Sequence, residues 1–240
     1  GVGNHAPPSD NDPSHFAELL AGINDIKGVA RIRFTSPHPA YFNDALIDAM
    51  ASLEKVCEYL HLPLQSGSDR ILKAMNRPYT AERYLEIVNK LKAKMPGISF
   101  STDVIVGFPG ETEEDFNSTR DLMNEVGYDN AYIFKYSPRK GTKAAGMEDD
   151  VPTSVKEERN QILLADLAAR SEAANKAMDG RLVEVLVEGV SKRNSSRMSG
   201  RSRSNRVVIF DPVPGVGPGD IVNVRIDRTS AVSLFGKIEA

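Results

Sequence analysis

Apolar residues recur at helical and strand spacing in alternating segments from Pro13 to about Asp150. Helical spacing predicts helices at residues 14–26, 43–54, 69–75, 80–95 and 113–126. Short alternating runs predict strands at residues 29–35, 57–64, 98–107 and 130–137. Strands that alternate with helices are typical of βαβ units, so we expect an α/β fold with a parallel sheet. Residues 1–12 are polar and rich in proline and glycine, which predicts a loop or a frayed terminus.

The predicted strands carry polar side chains on one face. Residues 98–107 place apolar side chains on one face and mostly polar ones on the other: Phe100, Val104 and Val106 against Ser99, Ser101, Asp103 and Ile105. Parallel strands that are buried on both faces usually read as continuous apolar runs. We therefore expect the polar face to line a solvated cavity that holds a polar ligand, as in a barrel or partial barrel, with a flat doubly wound sheet as the alternative.

Only four such strands are predicted, whereas a closed (βα)8 barrel needs eight. The barrel is therefore expected to be smaller and open, or incomplete. A long helix is predicted at residues 154–178 and ends at Gly180. Five strands are then predicted near residues 181–188, 197–200, 206–210, 221–227 and 233–238, which suggests a small OB-like β-barrel. We expect one domain at residues 1–179 and a second at residues 180–240.

Composition excludes several classes of protein. The 240 residues are 40% hydrophobic and 26% charged, an ordinary globular balance. No apolar run approaches the ~20 residues of a membrane span, and no signal peptide is visible, so we expect a cytoplasmic protein with no membrane partner. We also expect a monomer. The one cysteine, Cys57, can form neither an internal disulfide nor a metal-cluster site. The net charge of −3 gives no overall reason to expect a nucleic-acid partner.

The sequence GFPGET at residues 107–112 ends a predicted strand and opens a helix. Thr112 and Asp115 are spaced as a capping box, which explains those two residues structurally. It does not explain Gly107, the second glycine and Glu111 together. Glycines at the carboxyl end of a strand allow a backbone to approach a ligand closely, so we expect this loop to contact a ligand.

The sequence LPLQSGSD at residues 62–69 ends a neighbouring predicted strand. Gln65 and Ser66 stand where ligand-binding groups of such sheets collect, although the later residues of this run could simply cap the next helix. Asp103 is expected to face the cavity, or else to pair with an arginine of the first strand.

Residues 189–210 contain many cations and no Asp or Glu. The residues in this run that we expect to bind RNA are Lys192, Arg193, Arg197, Arg201, Arg203, Asn205 and Arg206. A solvated charged surface is one interpretation. Because the cations are interleaved with Ser and Asn in a small β-domain, we expect them to contact phosphates and nearby polar groups of RNA.

Several of these runs together resemble the radical S-adenosylmethionine (SAM) methylthiotransferases. The matching runs are RIRFTSPHP (31–39), LHLPLQSGSDRIL (60–72), DVIVGFPGETEEDF (103–116), YSPRKGTKAA (136–145) and SGRSRSNRVV (199–208), the last of which resembles a TRAM domain. The resemblance implies an α/β fold made of the last four strands of a partial (βα)6 barrel, followed by an all-β TRAM domain. It also implies an N-terminally truncated chain.

The resemblance further implies a cofactor site for SAM. The residues it assigns there are Gln65, Ser66, Asp103, Ile105, Gly107, Glu111, Tyr136, Ser137 and Arg139. Members of the family use two four-iron clusters held by cysteines, and Cys57 matches none of those ligand positions. The resemblance therefore implies a chain that contains no catalytic residues or metal ligands of its own and is inactive alone.

The activity implied is a radical transfer of a methylthio group to carbon 2 of an isopentenylated adenosine beside the anticodon of tRNA. The runs at residues 31–39 and 199–208 favour this branch over those that act on a ribosomal protein or on threonylcarbamoyl-adenosine. A non-catalytic RNA-binding protein is a second hypothesis. A barrel enzyme for a small phosphorylated substrate is a third, although no nucleophile–base pair supports it.

Overall fold

The computed structural model describes residues 15–239. The chain divides into two compact units, Gly1–Leu164 and Ala165–Ala240. This division falls within the last helix, whereas the sequence predicts a domain boundary near Gly180, and that boundary stays a prediction. The loop or frayed terminus predicted at residues 1–12 lies outside the described residues.

The α/β part follows the predicted alternation of helices and strands. Its helices are α1 (His15–Asn24), α2 (Asp44–Ser52), α3 (Asp69–Ala74), α4 (Ala81–Lys94), α5 (Glu113–Val126) and α6 (Thr153–Lys176), and its strands are β1 (Tyr59–His61), β2 (Ser99–Val106) and β3 (Asn130–Lys135). Two 3-10 turns lie at Pro39–Tyr41 and Lys143–Gly146. The strands pair in parallel in the order β1-β2-β3, which confirms the predicted parallel sheet.

The prediction of a regular strand at residues 29–35 is wrong. This segment makes only two isolated parallel bridges, Ile32 with Val56 and Thr35 with His61. The bridged residues are three positions apart on the first segment and five positions apart on the second. The two segments therefore cannot keep a continuous register. β1, which pairs with β2 at Tyr59–His61, is also shorter than the predicted strand at residues 57–64.

The two faces of the sheet differ as the alternation predicts only toward the carboxyl end of β2. Phe100, Val104 and Val106 of β2 are buried. On the opposite face Asp103 and Ile105 are only partly buried. In the parallel register their neighbours on β3 are Tyr132 and Phe134, each 52% exposed. Ser99 and Ser101, earlier on the same face of β2, are buried. Among the residues that the structure describes, only the carboxyl-terminal part of this face, called the open face below, is therefore partly accessible.

The second unit contains the five predicted strands. They are β4 (Leu182–Ser191), β5 (Asn194–Ser202), β6 (Val207–Phe210), β7 (Ile221–Thr229) and β8 (Leu234–Glu239). The strands close into a barrel in the order β4-β5-β6-β8-β7. Its core consists of Val183, Val185, Val187, Met198, Val208, Phe210, Val224, Ile226 and Leu234. At Gly200 and Gly236 a Cβ atom would collide with a neighbouring strand's backbone, so the pairing requires glycine at both positions.

Within residues 15–239, none of the helices combines the length and the apolar character that a bilayer crossing requires.

Candidate functional site

Backbone hydrogen bonds bring three strand ends together at the carboxyl edge of the sheet. The Gln65 N–H donates to the Asp103 carbonyl at 2.8 Å, and the Gln65 carbonyl accepts from the Ile105 N–H at 3.0 Å. On the other side of β2, the Tyr136 N–H donates to the Val106 carbonyl at 2.9 Å. The loops that follow β1, β2 and β3 therefore leave the sheet side by side. These are the loops in which the sequence places the ligand-binding residues.

A buried ion pair holds the loop at residues 107–112. Glu111 Oε2 accepts hydrogen bonds from the Gly107 N–H at 2.7 Å and from Arg159 Nη1 at 2.6 Å. The Glu111 side chain is 1% exposed. Burial raises the pKa of Glu111, while the Gly107 N–H and Arg159 oppose that rise. Because the carboxylate is occupied by its own loop and by α6, direct contact of Glu111 with a cofactor stays a prediction.

Lys156 of α6 covers Gly107 from outside the sheet. A Cβ atom at residue 107 would collide with the aliphatic stem of Lys156, and Gly107 has φ +69°. The Lys156 ammonium bonds both Asp149 carboxylate oxygens, at 2.5 and 2.6 Å, and lies 5.3 Å from the centre of the Tyr136 ring. The sequence analysis did not identify Lys156 and Arg159. The sequence of a long helix with many charged residues does not indicate which of those residues are buried.

The loop after β1 is fastened to α5 through Thr119. The Ser66 hydroxyl is fully buried and bonds Thr119 Oγ1 at 3.2 Å and the Ser68 N–H at 3.2 Å. The Gly67 N–H also donates to Thr119 Oγ1, at 2.9 Å. The Ser66 hydroxyl is thus engaged within the protein, and its contact with a cofactor or substrate stays a prediction.

Asp115 joins the loops after β1 and β2. Thr112 and Asp115 form the predicted capping box, which is confirmed. Asp115 also accepts from the Ser68 hydroxyl at 2.6 Å and pairs with Arg70, which in turn donates to the Gly110 carbonyl at 2.6 Å. Burial acts to raise the pKa of Asp115, but hydrogen bonds from Arg70, Ser68 and Thr112 hold it well below its ordinary value.

A cluster of polar side chains joined by hydrogen bonds lies beside the open face. His61 Nδ1 lies 2.8 Å from Ser101 Oγ, which in turn lies 2.6 Å from the Tyr59 hydroxyl. His61 Nε2 lies 3.4 Å from Asp103 Oδ2, and the His61 ring packs edge-on against Tyr132 at 5.9 Å. Sequence analysis named Asp103 but not His61 or Tyr132. The signal that could have found them is the alternation itself, because each occupies the polar-face position of its strand.

The remaining predicted site residues lie around this edge. Ser137 and Arg139 follow β3 and are exposed, whereas Tyr136 is partly buried. Cys57 is buried. Over residues 15–239, no group of three or more His, Cys, Asp or Glu side chains is placed to hold a metal ion.

The predicted RNA-binding residues are spread along β5 and its two flanking turns. They are Lys192, Arg193, Arg197, Arg201, Arg203, Asn205 and Arg206. Lys192 and Arg193 are exposed at the β4–β5 turn. Arg206 bonds the side-chain oxygen of Asn175, whose nitrogen donates to the Ser230 carbonyl at 2.8 Å. Arg206 therefore also ties the barrel to the end of α6 within the second unit.

Two other arginines of the run meet acids that lie outside it. Arg197 Nε is 3.1 Å from Asp211, and Arg201 Nε is 3.4 Å from Glu188. Arg201 also donates to the Asn205 carbonyl at 3.1 Å. The run contains no acid of its own, but antiparallel pairing brings acids from its flanks beside it. Of the cations in the run, the two that are exposed, Lys192 and Arg193, lie at the β4–β5 turn.

Two family models match the chain: Radical SAM superfamily over residues 8–123 and TRAM domain over residues 176–238. Curated relatives named tRNA-2-methylthio-N(6)-dimethylallyladenosine synthase are 53% identical in Opitutus terrae and in Acetivibrio thermocellus, each over 95% of this chain and 47% of the relative. The relative of that name in Akkermansia muciniphila is 47% identical over 92% of this chain and 48% of its own length. The chain spans about half the length of the curated relatives that it matches.

Among solved structures, coproporphyrinogen III oxidase from Escherichia coli, a radical SAM enzyme, is similar with a TM-score of 0.49 and 14% identity. That match covers 70% of this chain and 45% of the other.

Proposed function

Because the chain belongs to the radical SAM methylthiotransferases, we propose that it takes part in adding a methylthio group to carbon 2 of isopentenylated adenosine in tRNA. The names of its relatives support this substrate. The observation that carries the proposal is the carboxyl edge of the sheet, where the loops after β1, β2 and β3 lie side by side above the polar open face. Ligands of parallel sheets bind at this edge.

The residues at this edge fit SAM. Ile105 offers a partly buried apolar surface to the adenine. Gly107, whose N–H is bonded to Glu111 and which Lys156 covers, would lie beside the adenine behind that surface. Gln65 and Ser66 would stand near the ribose or the substrate. The other residues proposed for SAM are Asp103, Glu111, Tyr136, Ser137 and Arg139. Bound SAM would supply the adenosyl group for radical chemistry, while these residues would orient it and shield it from water.

The residues of this chain do not fit an iron–sulfur cluster. Such clusters are held by cysteine thiolates, and the chain's one cysteine, Cys57, is buried. The residues of this chain therefore supply no ligand set for the iron–sulfur clusters that the family uses.

The barrel would hold the tRNA partner through its phosphates. We propose that it is OB-like, since its closed strand order matches a five-stranded Greek-key barrel, in which the second and third strands form the binding face. Those strands are β5 and β6, and β5 carries Arg197 and Arg201 of the cationic run, whose other cations lie in the turns on either side. The substrate adenosine would leave the stacked anticodon loop to reach the sheet edge, as single-stranded loops permit.

Calorimetric titration of SAM into the chain tests the cofactor site. Ile105→Ala should weaken SAM binding about fivefold to tenfold, because it removes apolar surface beneath the adenine. Leu19→Ala is the matched control, since Leu19 is an exposed apolar residue on α1, a helix that packs against α2. An affinity for SAM that Ile105→Ala leaves unchanged would contradict this site.

A second candidate function is RNA binding without catalysis. It is favoured by the single buried cysteine, which provides no cluster ligand set within this chain. Tight binding of tRNA by a chain that does not bind SAM would support this second function over the first.

A further inference from the structure

We propose that Tyr132 and Phe134 form a stacking platform for the adenine ring of the RNA substrate. This inference rests on the proposed function and extends it, by assigning recognition of the alkylated base to two residues of β3. They are called the β3 platform below.

The two rings share one face and are accessible. They are two residues apart on β3, so both point to the open face, and each is 52% exposed. A single exposed apolar residue is ordinary on a protein surface. Two neighbouring aromatic rings beside polar side chains are instead the kind of surface on which nucleobases stack.

Tyr132 is held in place by its neighbours. His61 packs edge-on against its ring at 5.9 Å. The imidazole of His61 is in turn placed by Ser101 at 2.8 Å and by Asp103 at 3.4 Å. A ring that is already oriented loses little side-chain freedom when a base stacks on it.

The groups beside the platform match an N6-alkylated adenine. Asp103 is the register partner of Tyr132, and its side chain is 31% exposed, so its carboxylate can accept the one N–H that alkylated N6 retains. The inference thus assigns Asp103 to the substrate base and not to SAM. The next pair along the strands is Ile105 and Phe134, an apolar pair. Successive pairs on one face are roughly 6.6 Å apart, a spacing that lets a dimethylallyl group on N6 reach Phe134 while the ring stays over Tyr132.

Both SAM and the RNA substrate contain an adenine ring, so the test must separate them. Binding of N6-dimethylallyladenosine, adenosine and SAM is measured for the unaltered chain, Tyr132→Ala, Phe134→Ala and the control Leu19→Ala. Tyr132→Ala should weaken both nucleosides about tenfold. Phe134→Ala should weaken N6-dimethylallyladenosine about tenfold and adenosine less than twofold, because only the alkyl group contacts Phe134. Tyr132→Ala should bind SAM as the unaltered chain does.

The inference is overturned if both variants bind the nucleosides as tightly as the unaltered chain, if the unaltered chain binds neither nucleoside, or if Tyr132→Ala weakens SAM instead. A circular dichroism spectrum of each variant excludes loss of folding as the cause of weaker binding. Failure of the unaltered chain to bind SAM and tRNA would contradict the proposed function, whereas the nucleoside titrations decide the β3 platform separately.

Discussion

Glu111 and Asp115 are buried carboxylates four residues apart, and their surroundings shift their pKa values in opposite directions. For Glu111 burial prevails, and its pKa is raised despite the contact with Arg159. For Asp115 several hydrogen-bond donors outweigh burial, and its pKa is lowered. Two things differ: Glu111 is the more deeply buried, and Asp115 has more hydrogen-bond donors to replace water.

Replacing Asp115 by Asn should lower the free energy of unfolding by about 2–3 kcal/mol at pH 7, because charged hydrogen bonds to Arg70 and Ser68 are lost. A lowered pKa stabilises the folded state above the ordinary value of 3.8 and loses that effect as the pH falls toward the folded pKa. The difference between the unaltered chain and Asp115→Asn should therefore narrow steadily from about pH 5 downward. Urea unfolding at several pH values measures it.

Asp121→Asn, on the exposed side of α5, is the matched control for removing a carboxylate. A difference between the unaltered chain and Asp115→Asn that stays constant between pH 7 and pH 2 would contradict this account.

At the scale of elements, α5 organises both loops of the candidate site. Its first turn holds Asp115, which reaches Ser68 in the loop after β1, and its second turn holds Thr119, which anchors Gly67. A Cβ atom at Gly67 would lie 2.5 Å from the Ser118 carbonyl oxygen. The loop can therefore approach α5 this closely only with glycine at this position.

Replacing Gly67 by Ala should force the loop after β1 away from α5. We expect a loss of about 2–3 kcal/mol in the free energy of unfolding, since a backbone atom cannot yield as a side chain can. The midpoint temperature of thermal unfolding and the affinity for SAM should both fall.

Gly22→Ala is the control, because a Cβ at Gly22 in α1 meets nothing within 4 Å. It should be neutral or stabilising by up to about 1 kcal/mol. Equal stability of Gly67→Ala and Gly22→Ala would rule out the close contact as a constraint.

At the scale of the whole chain, a net charge of −3 coexists with a cationic segment in the barrel unit. Arg197 and Arg201 each face an acid at their flank, whereas Lys192 and Arg193 project from the β4–β5 turn. Phosphate contacts are therefore expected to depend chiefly on the residues of that turn.

The salt dependence of tRNA binding tests this distribution of charge. Each lost phosphate contact reduces the slope of log K against log salt by about 0.7–0.9, so the double variant Lys192→Ala/Arg193→Ala should reduce it by about 1–2. Arg181→Ala/Lys237→Ala removes the same charge from exposed positions outside the run and should leave the slope unchanged. If both double variants reduced the slope equally, binding would reflect overall charge and not this turn.

Local sequence patterns predicted most helices and strands, but they failed where strand formation depends on the register with a partner segment. The capping box of α5 and all five barrel strands follow from short spacings, and the structure confirms them. The strand predicted at residues 29–35 has suitable side chains, but its ladder is broken because its two bridges do not share a register with residues 56–61. Register depends on the partner segment, which a local pattern does not contain.

The amino-acid sequence alone determined the alternation of helices and strands, the polar face of the sheet, the two loops at its carboxyl edge and the cationic run, because each depends on residues close together in the chain. The tertiary structure decided which of these side chains are bonded to other residues of the protein. Arg159 reaches Glu111 across 48 residues, and His61 reaches Ser101 across 40. Such partners are chosen by the docking of α6 and the pairing of β1 with β2, and neither geometry is encoded in the spacing of residues along one segment.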